Sequence, residues 1–298
     1  MKRFPFKKID AFATPQSEGN PAGYISLDSF SDISDNEMQQ IARELKGFVS
    51  EVGYAVQVSD NGYELKYYSA EREVDFCGHA TIAIMYDLLK NNKYLQQFDA
   101  VLFKTNRGLL KAKNKIKEED AVFILSPEPY EKEQTPSSNR IAEALNIEQE
   151  EIDSSLPVSI INAGLTTLLV PIQSNYSILH IHPALDILHQ FCIQQEIDII
   201  QVFTSDVTDP YNNFRTRVFA PTFGYLEDPA TGSGNSAFGY YLLQNKLWKN
   251  DTILIEQNGL KDKFNLVKLQ RATDENGNAR VMFGGGAITR IIGEYILV

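Results

Sequence analysis

The feature that most constrains this chain is an approximate internal repeat. Moved by 154 residues, Glu73-Val74-Asp75-Phe76-Cys77-Gly78-His79 falls on Glu227-Asp228-Pro229-Ala230-Thr231-Gly232-Ser233. Six identities accumulate over seventeen positions: Glu73 meets Glu227, Gly78 meets Gly232, Ala83 meets Ala237, Tyr86 meets Tyr240, and Leu88 and Leu89 meet Leu242 and Leu243. The offset is close to half of the 298 residues, as a duplicated domain requires. Two buried helices of similar composition are the competing explanation. Under either, each copy reads as a strand, a short acidic loop, a glycine beside a small polar or imidazole residue, and then a buried helix.

That arrangement has a chemical meaning. The first N–H groups of a helix lack internal partners and lie at the positive end of its dipole. A glycine there lets an anion approach the backbone, so Gly78 and Gly232 open two candidate cradles for a carboxylate or phosphate. A Gly-rich helix start also serves plain close packing.

Around the repeat, strands and helices alternate. Phe6 to Ala13 reads as a strand, followed by a turn-rich loop containing Gly19-Asn20-Pro21 and a second strand from Tyr24 to Leu27. Ser34 and Glu37 form a capping box ahead of an apolar stripe of Met38, Ile41, Ala42 and Leu45. Asp60-Asn61-Gly62 between alternating segments predicts a hairpin. The stretch from Ala80 to Leu89 is apolar on nearly every face, hence buried all round. A charged stretch from Lys113 to Asp120, short of apolar residues, precedes a junction near residues 115–135. Helices are expected from Ser138 to Leu145, Pro183 to Gln194 and Asn235 to Leu247. The class is α/β, or α+β.

Composition removes whole functional classes. With 43% hydrophobic and 22% charged residues the chain is globular rather than disordered. Twenty-eight Lys plus Arg against 39 Asp plus Glu give a net charge of −11, a poor match for nucleic acid or an anionic membrane. There is no signal-peptide pattern and no long apolar run, so the expectation is a cytoplasmic protein without a membrane span. Cys77 and Cys192 are too few for a disulfide framework. His180, His182 and His189 lack acidic ligands at metal spacing, so no metal is expected.

Four side chains are candidates for chemistry. Glu51, entering a strand between apolar neighbours, is either an edge residue facing water or a carboxylate in a cleft, where burial would raise its pKa and make it a general base near neutral pH. Asp228, ahead of a proline, is a turn former or a carboxylate that orients a substrate amine or hydroxyl. His79, at a helix start, either caps its own helix or, biased toward the neutral form by the dipole, relays a proton. Cys77 stands where a thiol pKa can be lowered.

Asp10-Ala11-Phe12, Gly19-Asn20-Pro21-Ala22, Ser50-Glu51, Glu73-Val74-Asp75-Phe76-Cys77-Gly78-His79-Ala80-Thr81, Glu227-Asp228-Pro229-Ala230-Thr231-Gly232-Ser233 and Phe283-Gly284-Gly285-Gly286 together closely resemble the signature blocks of the PhzF-like phenazine-biosynthesis isomerase family, in order and across essentially the whole chain. The resemblance implies a diaminopimelate-epimerase-like fold, with two pseudo-symmetric domains, each a curled mixed sheet around a central helix, and an active site between them. On that reading residues 1–118 form the first domain, to which a strand at 284–298 returns, and 119–283 form the second.

It further implies a cofactor-independent isomerase, often a homodimer, acting on a small carboxylate substrate. Glu51 corresponds to the general base, and Asp228, His79 and Ser233 to other active-site positions. Gly78, Gly232, Ser233 and Asn20 would bind substrate. Racemases related to the family use one thiol from each domain. Here the first position matches Cys77 but the second is Thr231, which argues against two-thiol stereoinversion and for a carboxylate that moves a proton and a double bond. A racemase or epimerase on the same fold, or a non-catalytic anion-binding protein, are the alternatives.

Overall fold

The structure, a computed structural model, describes residues Met1–Val298. It resolves into two compact units, Met1–Leu125 with Gly284–Val298, and Ser126–Phe283.

In the first unit the strands are β1 (Lys2–Ala11), β2 (Asn20–Leu27), β3 (Glu51–Ser59), β4 (Gly62–Ser69), β5 (Glu73–Val74), β6 (Ala100–Thr105), β7 (Gly108–Lys115) and β8 (Ala121–Leu125). The helices are α1 (Asp35–Glu44), α2 (Gly78–Asn91) and the single turn α3 (Ile116–Glu119). In the second unit β9 (Tyr130–Lys132), β10 (Ser159–Asn162), β11 (Thr166–Pro171), β12 (Ile199–Thr204), β13 (Phe214–Phe219), β14 (Glu227–Asp228), β15 (Thr252–Gln257), β16 (Asn265–Thr273) and β17 (Ala279–Gly285) accompany four helices. These are α4 (Ser138–Leu145), α5 (Asn175–Leu179), α6 (Leu185–Gln195) and α7 (Gly232–Gln244). A last strand, β18 (Ala287–Leu297), lies antiparallel to β1.

The duplication is visible in the strand pairing of each unit taken alone. In the first, β1 and β2 are antiparallel, β2 and β3 parallel, β3 and β4 antiparallel, β4 takes β5 antiparallel and β6 parallel, and β6 and β7 are antiparallel. In the second, the same succession runs through β10–β11, β11–β12, β12–β13, β13–β14, β13–β15 and β15–β16. The parallel steps need crossovers, and the helices supply them: α1 precedes β3 and α2 precedes β6, as α5 and α6 precede β12 and α7 precedes β15. The α/β class expected from the sequence is the one present.

Each unit curls its sheet around one apolar helix. Helix α2 touches β1, β2, β3, β8 and β18, strands from both ends of its sheet. Ile82, Ala83, Ile84, Met85 and Leu89 are fully buried there; each large side chain contributes roughly 1.5–3 kcal/mol by leaving water. Gly53 on β3 makes this close packing feasible, since a Cβ there would run into Cδ1 of Ile84. Helix α7 packs on β10, β11, β12 and β16 in the same manner. Outside the first sheet, α1 covers a second apolar layer with Met38, Ile41 and Ala42 against Phe6, Val52, Tyr54 and Tyr68; its Ser34–Glu37 capping box is closed in both directions.

Some boundaries differ from the sequence reading. Strand β1 begins at Lys2 rather than Phe6, because residues 2–5 pair with β18, nearly the whole chain away. The charged stretch from Lys113 forms the end of β7 and α3. Helix α7 starts at Gly232 rather than Asn235 and stops at Gln244: Lys246 is left-handed (φ 58°), and the Leu247 N–H returns to Leu242. No helix is long and apolar enough to cross a membrane.

Candidate active site

In the first unit the chemistry gathers where β2, β3 and α2 begin. Parallel pairing of β2 with β3 sets Glu51 against Ala22, and antiparallel pairing with β4 sets it against Ser69. One residue earlier, the Ser50 N–H bonds to the Pro21 carbonyl and its hydroxyl donates to Asn20 Oδ1 at 3.1 Å. Asn20, buried at the first position of β2, is thereby tied to the strand entry that presents Glu51.

Helix α2 brings His79 to the same place. Cys77 is its N-cap, and its sulfur takes up the Ala80 N–H of the first turn. The helix opens at Gly78, with His79 second. Thr81 returns its hydroxyl to the Cys77 carbonyl at 2.6 Å, fixing the first turn from within.

His79 Nε2 lies 3.1 Å from Glu51 Oε2, and its Nδ1 lies 3.5 Å from the Cys77 sulfur. The side chains are 12% and 23% exposed for His79 and Glu51, so both remain within reach of a small molecule. Although Nε2 is close, the buried Oε2 lacks an aligned hydrogen-bond donor. Attraction between the two is therefore chiefly charge on charge.

Their protonation differs from the sequence expectation. Burial is the largest influence on His79 and opposes its charge, but the Cys77 sulfur and the Glu51 carboxylate outweigh it and hold the imidazole pKa well above the usual 6.5. Burial likewise pushes Glu51 upward, yet His79 and the Cys77 thiol bring it below the ordinary 4.5. Both shifts run opposite to a raised-pKa carboxyl and a neutral imidazole. Burial pushes the Cys77 thiol above its usual 9.0, the opposite of an activated helix-start cysteine.

Glu51, Cys77 and His79 also bring an oxygen, a sulfur and a nitrogen within 4.8 Å of one another, and are where this chain could hold a divalent cation. Of the other histidines, His180 stacks on Tyr176 and bonds to its carbonyl.

The second unit carries the counterpart. Asp228 ends β14, paired with Val218, and three residues later Thr231 is the N-cap of α7, without a cap bond from its side chain. Gly232 and Ser233 open the helix. Phe283 fills the space beside Gly232, where a Cβ would come within 2.6 Å of its ring. Ser233 is partly exposed and faces Gly164, where a Cβ would stand 3.4 Å from the serine Cβ. As Thr81 does in α2, the side chain of Asn235 reaches back to the N-cap carbonyl, at 2.8 Å.

Behind Asp228 lies a polar network absent from the sequence reading. Gln257, fully buried on β15, donates to the Asp228 carbonyl at 3.0 Å and accepts from the Thr231 N–H at 3.1 Å and Asn235 Nδ2 at 2.6 Å. Asn265 donates to the Pro229 carbonyl at 2.7 Å. Glutamine and asparagine scattered on separate strands give no local signal, and only the pairing of β13 with β15 reveals them. The structure thus gathers Asn20, Glu51, Gly78 and His79 in one unit, and Asp228, Gly232 and Ser233 in the other.

The model of the phenazine biosynthesis-like protein family, PhzC-PhzF, matches residues 9–293. An uncharacterized isomerase of Clostridium acetobutylicum is 26% identical over 306 residues, covering 100% of this chain and 99% of its own. A crystal structure of a Bacillus anthracis phenazine biosynthesis protein of the PhzF family superposes with a TM-score of 0.88 at 21% identity, covering 100% of both chains. A hydroxyproline epimerase from Agrobacterium vitis, with bound trans-4-hydroxy-L-proline, shares the fold at a TM-score of 0.62 and 14% identity, over 99% of this chain and 91% of its own.

Proposed function

Since the chain belongs to the phenazine biosynthesis-like family of isomerase-type enzymes, we propose that it moves a proton, and with it a double bond, in a small unsaturated amino or hydroxy carboxylic acid. The observation that carries this reading is the approach of His79 Nε2 to Glu51 Oε2 at 3.1 Å, with the imidazole pKa drawn upward and the carboxyl pKa downward. A base and an acid held side by side on one unit suit a proton taken from one carbon and returned to another.

Glu51 removes a proton from a carbon acidified by the neighbouring double bond. The C–H electrons enter the π system, the double bond shifts, and the distal carbon takes back a proton from the Glu51 carboxyl or from the imidazolium. If His79 gives the proton, it recovers one from Glu51, and the pair returns to its starting state. Asp228 is assigned the substrate amine or hydroxyl. In the first unit the first-turn N–H groups at Gly78–His79, with Asn20, are assigned to carboxylate binding, and in the second those at Gly232–Ser233, in each case an anion stabilised by backbone dipoles rather than by Lys or Arg.

Solvent exchange tests the reading. Vinylglycine, L-3,4-dehydroproline and their hydroxy analogues are incubated with enzyme in heavy water and followed by NMR. Deuterium at the carbon next to the carboxylate or at the far end of the shifted double bond is expected, and it should disappear in Glu51→Gln. Exchange that survives in that variant removes Glu51 as the base, and inversion without migration of the double bond assigns an epimerase instead.

A further inference from the structure

We propose that Thr231 is a positioning residue for the reaction: its hydroxyl holds the Asp228 carboxylate in one orientation. The inference rests on the assignment of Asp228 to the substrate and adds to it the group that aims Asp228.

Thr231 Oγ1 donates to Asp228 Oδ2 at 2.6 Å, the short distance of a hydroxyl bonded to a carboxylate. The direction of that bond is fixed by the neighbours. Gln257 Oε1 faces two donors, the Thr231 N–H at 3.1 Å and Asn235 Nδ2 at 2.6 Å, so its amide can lie only one way. Its Nε2 then donates to Thr231 Oγ1 at 3.1 Å. With that lone pair occupied, the threonine turns its single hydrogen toward Asp228.

Asn235 is oriented in turn by Gln201 Nε2, which donates to its Oδ1 at 3.1 Å. Gln201, Asn235 and Gln257 are fully buried and Thr231 nearly so, whereas Asp228 is partly exposed. A rigid interior thus terminates in one solvent-reaching carboxylate. Gln257 Nε2 also donates to the Asp228 carbonyl at 3.0 Å, so the main chain and side chain of Asp228 are held from one point. A thiol at position 231 would be a weak donor and could not do this; the hydroxyl at this N-cap is chemically suited to aiming a neighbour.

The test is a double-mutant cycle on the exchange of vinylglycine and L-3,4-dehydroproline in heavy water, with thermal unfolding run on every variant. Valine is nearly isosteric with threonine and keeps the Thr231 N–H bond to Gln257. Thr231→Val is expected to lower kcat/KM about 10- to 100-fold, the scale of a misplaced contact group, while Thr231→Ser retains most of the rate. The variant carrying both Thr231→Val and Asp228→Asn should be no slower than Asp228→Asn alone, because the hydroxyl acts through that carboxylate.

A wild-type rate in Thr231→Val, or losses that multiply in the double variant, overturns the positioning role while leaving Asp228 in place. A wild-type rate in Asp228→Asn, or no exchange of any probe by the wild type, overturns the underlying assignment instead. If the valine variant does not fold, Thr231→Cys replaces it, expected to fall well below Thr231→Ser; equality of the two overturns the proposal.

Discussion

His79 Nε2 stands 3.1 Å from Glu51 Oε2, and that oxygen, buried and without an aligned donor, is held mainly by the charge it faces. A carboxylate that is ionised but incompletely hydrogen-bonded retains lone-pair character for a substrate proton. Glu51→Gln should therefore reduce isomerisation or exchange by about 10²- to 10⁴-fold, the range of a single acid–base group. Its fold should survive, as checked by circular dichroism. An equal loss in Glu51→Asp would show that reach along β3, as well as charge, matters.

The same pair fixes a pH dependence. His79 has a folded pKa above its unfolded one, so its stabilisation is complete below about 6.5 and fades as pH rises through the raised value. Glu51 is depressed, so its stabilisation is present above about 4.5 and fades as pH falls through the lowered value. The stability advantage of the wild type over His79→Asn should peak between these pH values and shrink on either side, measured by urea unfolding across pH. Activity should follow a related course: a plateau through neutrality, an acid limb below 4.5 from Glu51, and an alkaline limb from His79 that the asparagine variant lacks.

How far the sequence predicts these features depends on the range of the interactions behind them. The apolar run from Ala80 to Leu89 already demands a helix buried all round, and the Ser34–Glu37 spacing already demands a helix start, because both signals lie within a few residues. The raised pKa of His79 does not follow from its place at a helix N-terminus, since Glu51, one of the two groups that raise it, lies on a strand 28 residues earlier in the chain. Gln257 is harder still. In the sequence it is one polar residue at the end of an apolar strand, and its four hydrogen bonds arise only when β15 lies beside β13 and under the start of α7. The extension of β1 to Lys2 is equally hidden, because its partner is the last strand of the chain.

A buried ion pair outside the site should matter for stability. Arg215 and Glu256 are both fully buried and 3.0 Å apart. Glu256 also accepts from the N–H groups of Thr208 and Asp209 and from Asn212, while Arg215 donates to the carbonyls of Asn258, Leu260 and Lys261. Glu256→Ala strands a buried guanidinium and three other donors, and should cost about 3–5 kcal/mol in denaturant unfolding. Replacing both partners with apolar residues should also be costly, because it strands the three donors and three carbonyls that the pair serves.

The start of α7 makes a steric prediction with a built-in rescue. A methyl group at position 232 would lie 2.6, 2.9 and 3.2 Å from three carbons of the Phe283 ring, which is itself nearly fully buried and has little room to move. Gly232→Ala should destabilise by about 1–3 kcal/mol through overpacking. The helix start must shift to relieve the clash, so the loss of exchange activity should exceed what the unfolded fraction explains. Phe283→Leu removes ring atoms from the contact and should restore much of the stability in the double variant, measured by urea unfolding. Activity restored along with stability would show that the glycine serves close packing alone. Activity still missing in a restabilised protein would show that the bare backbone at Gly232 is itself needed for the substrate.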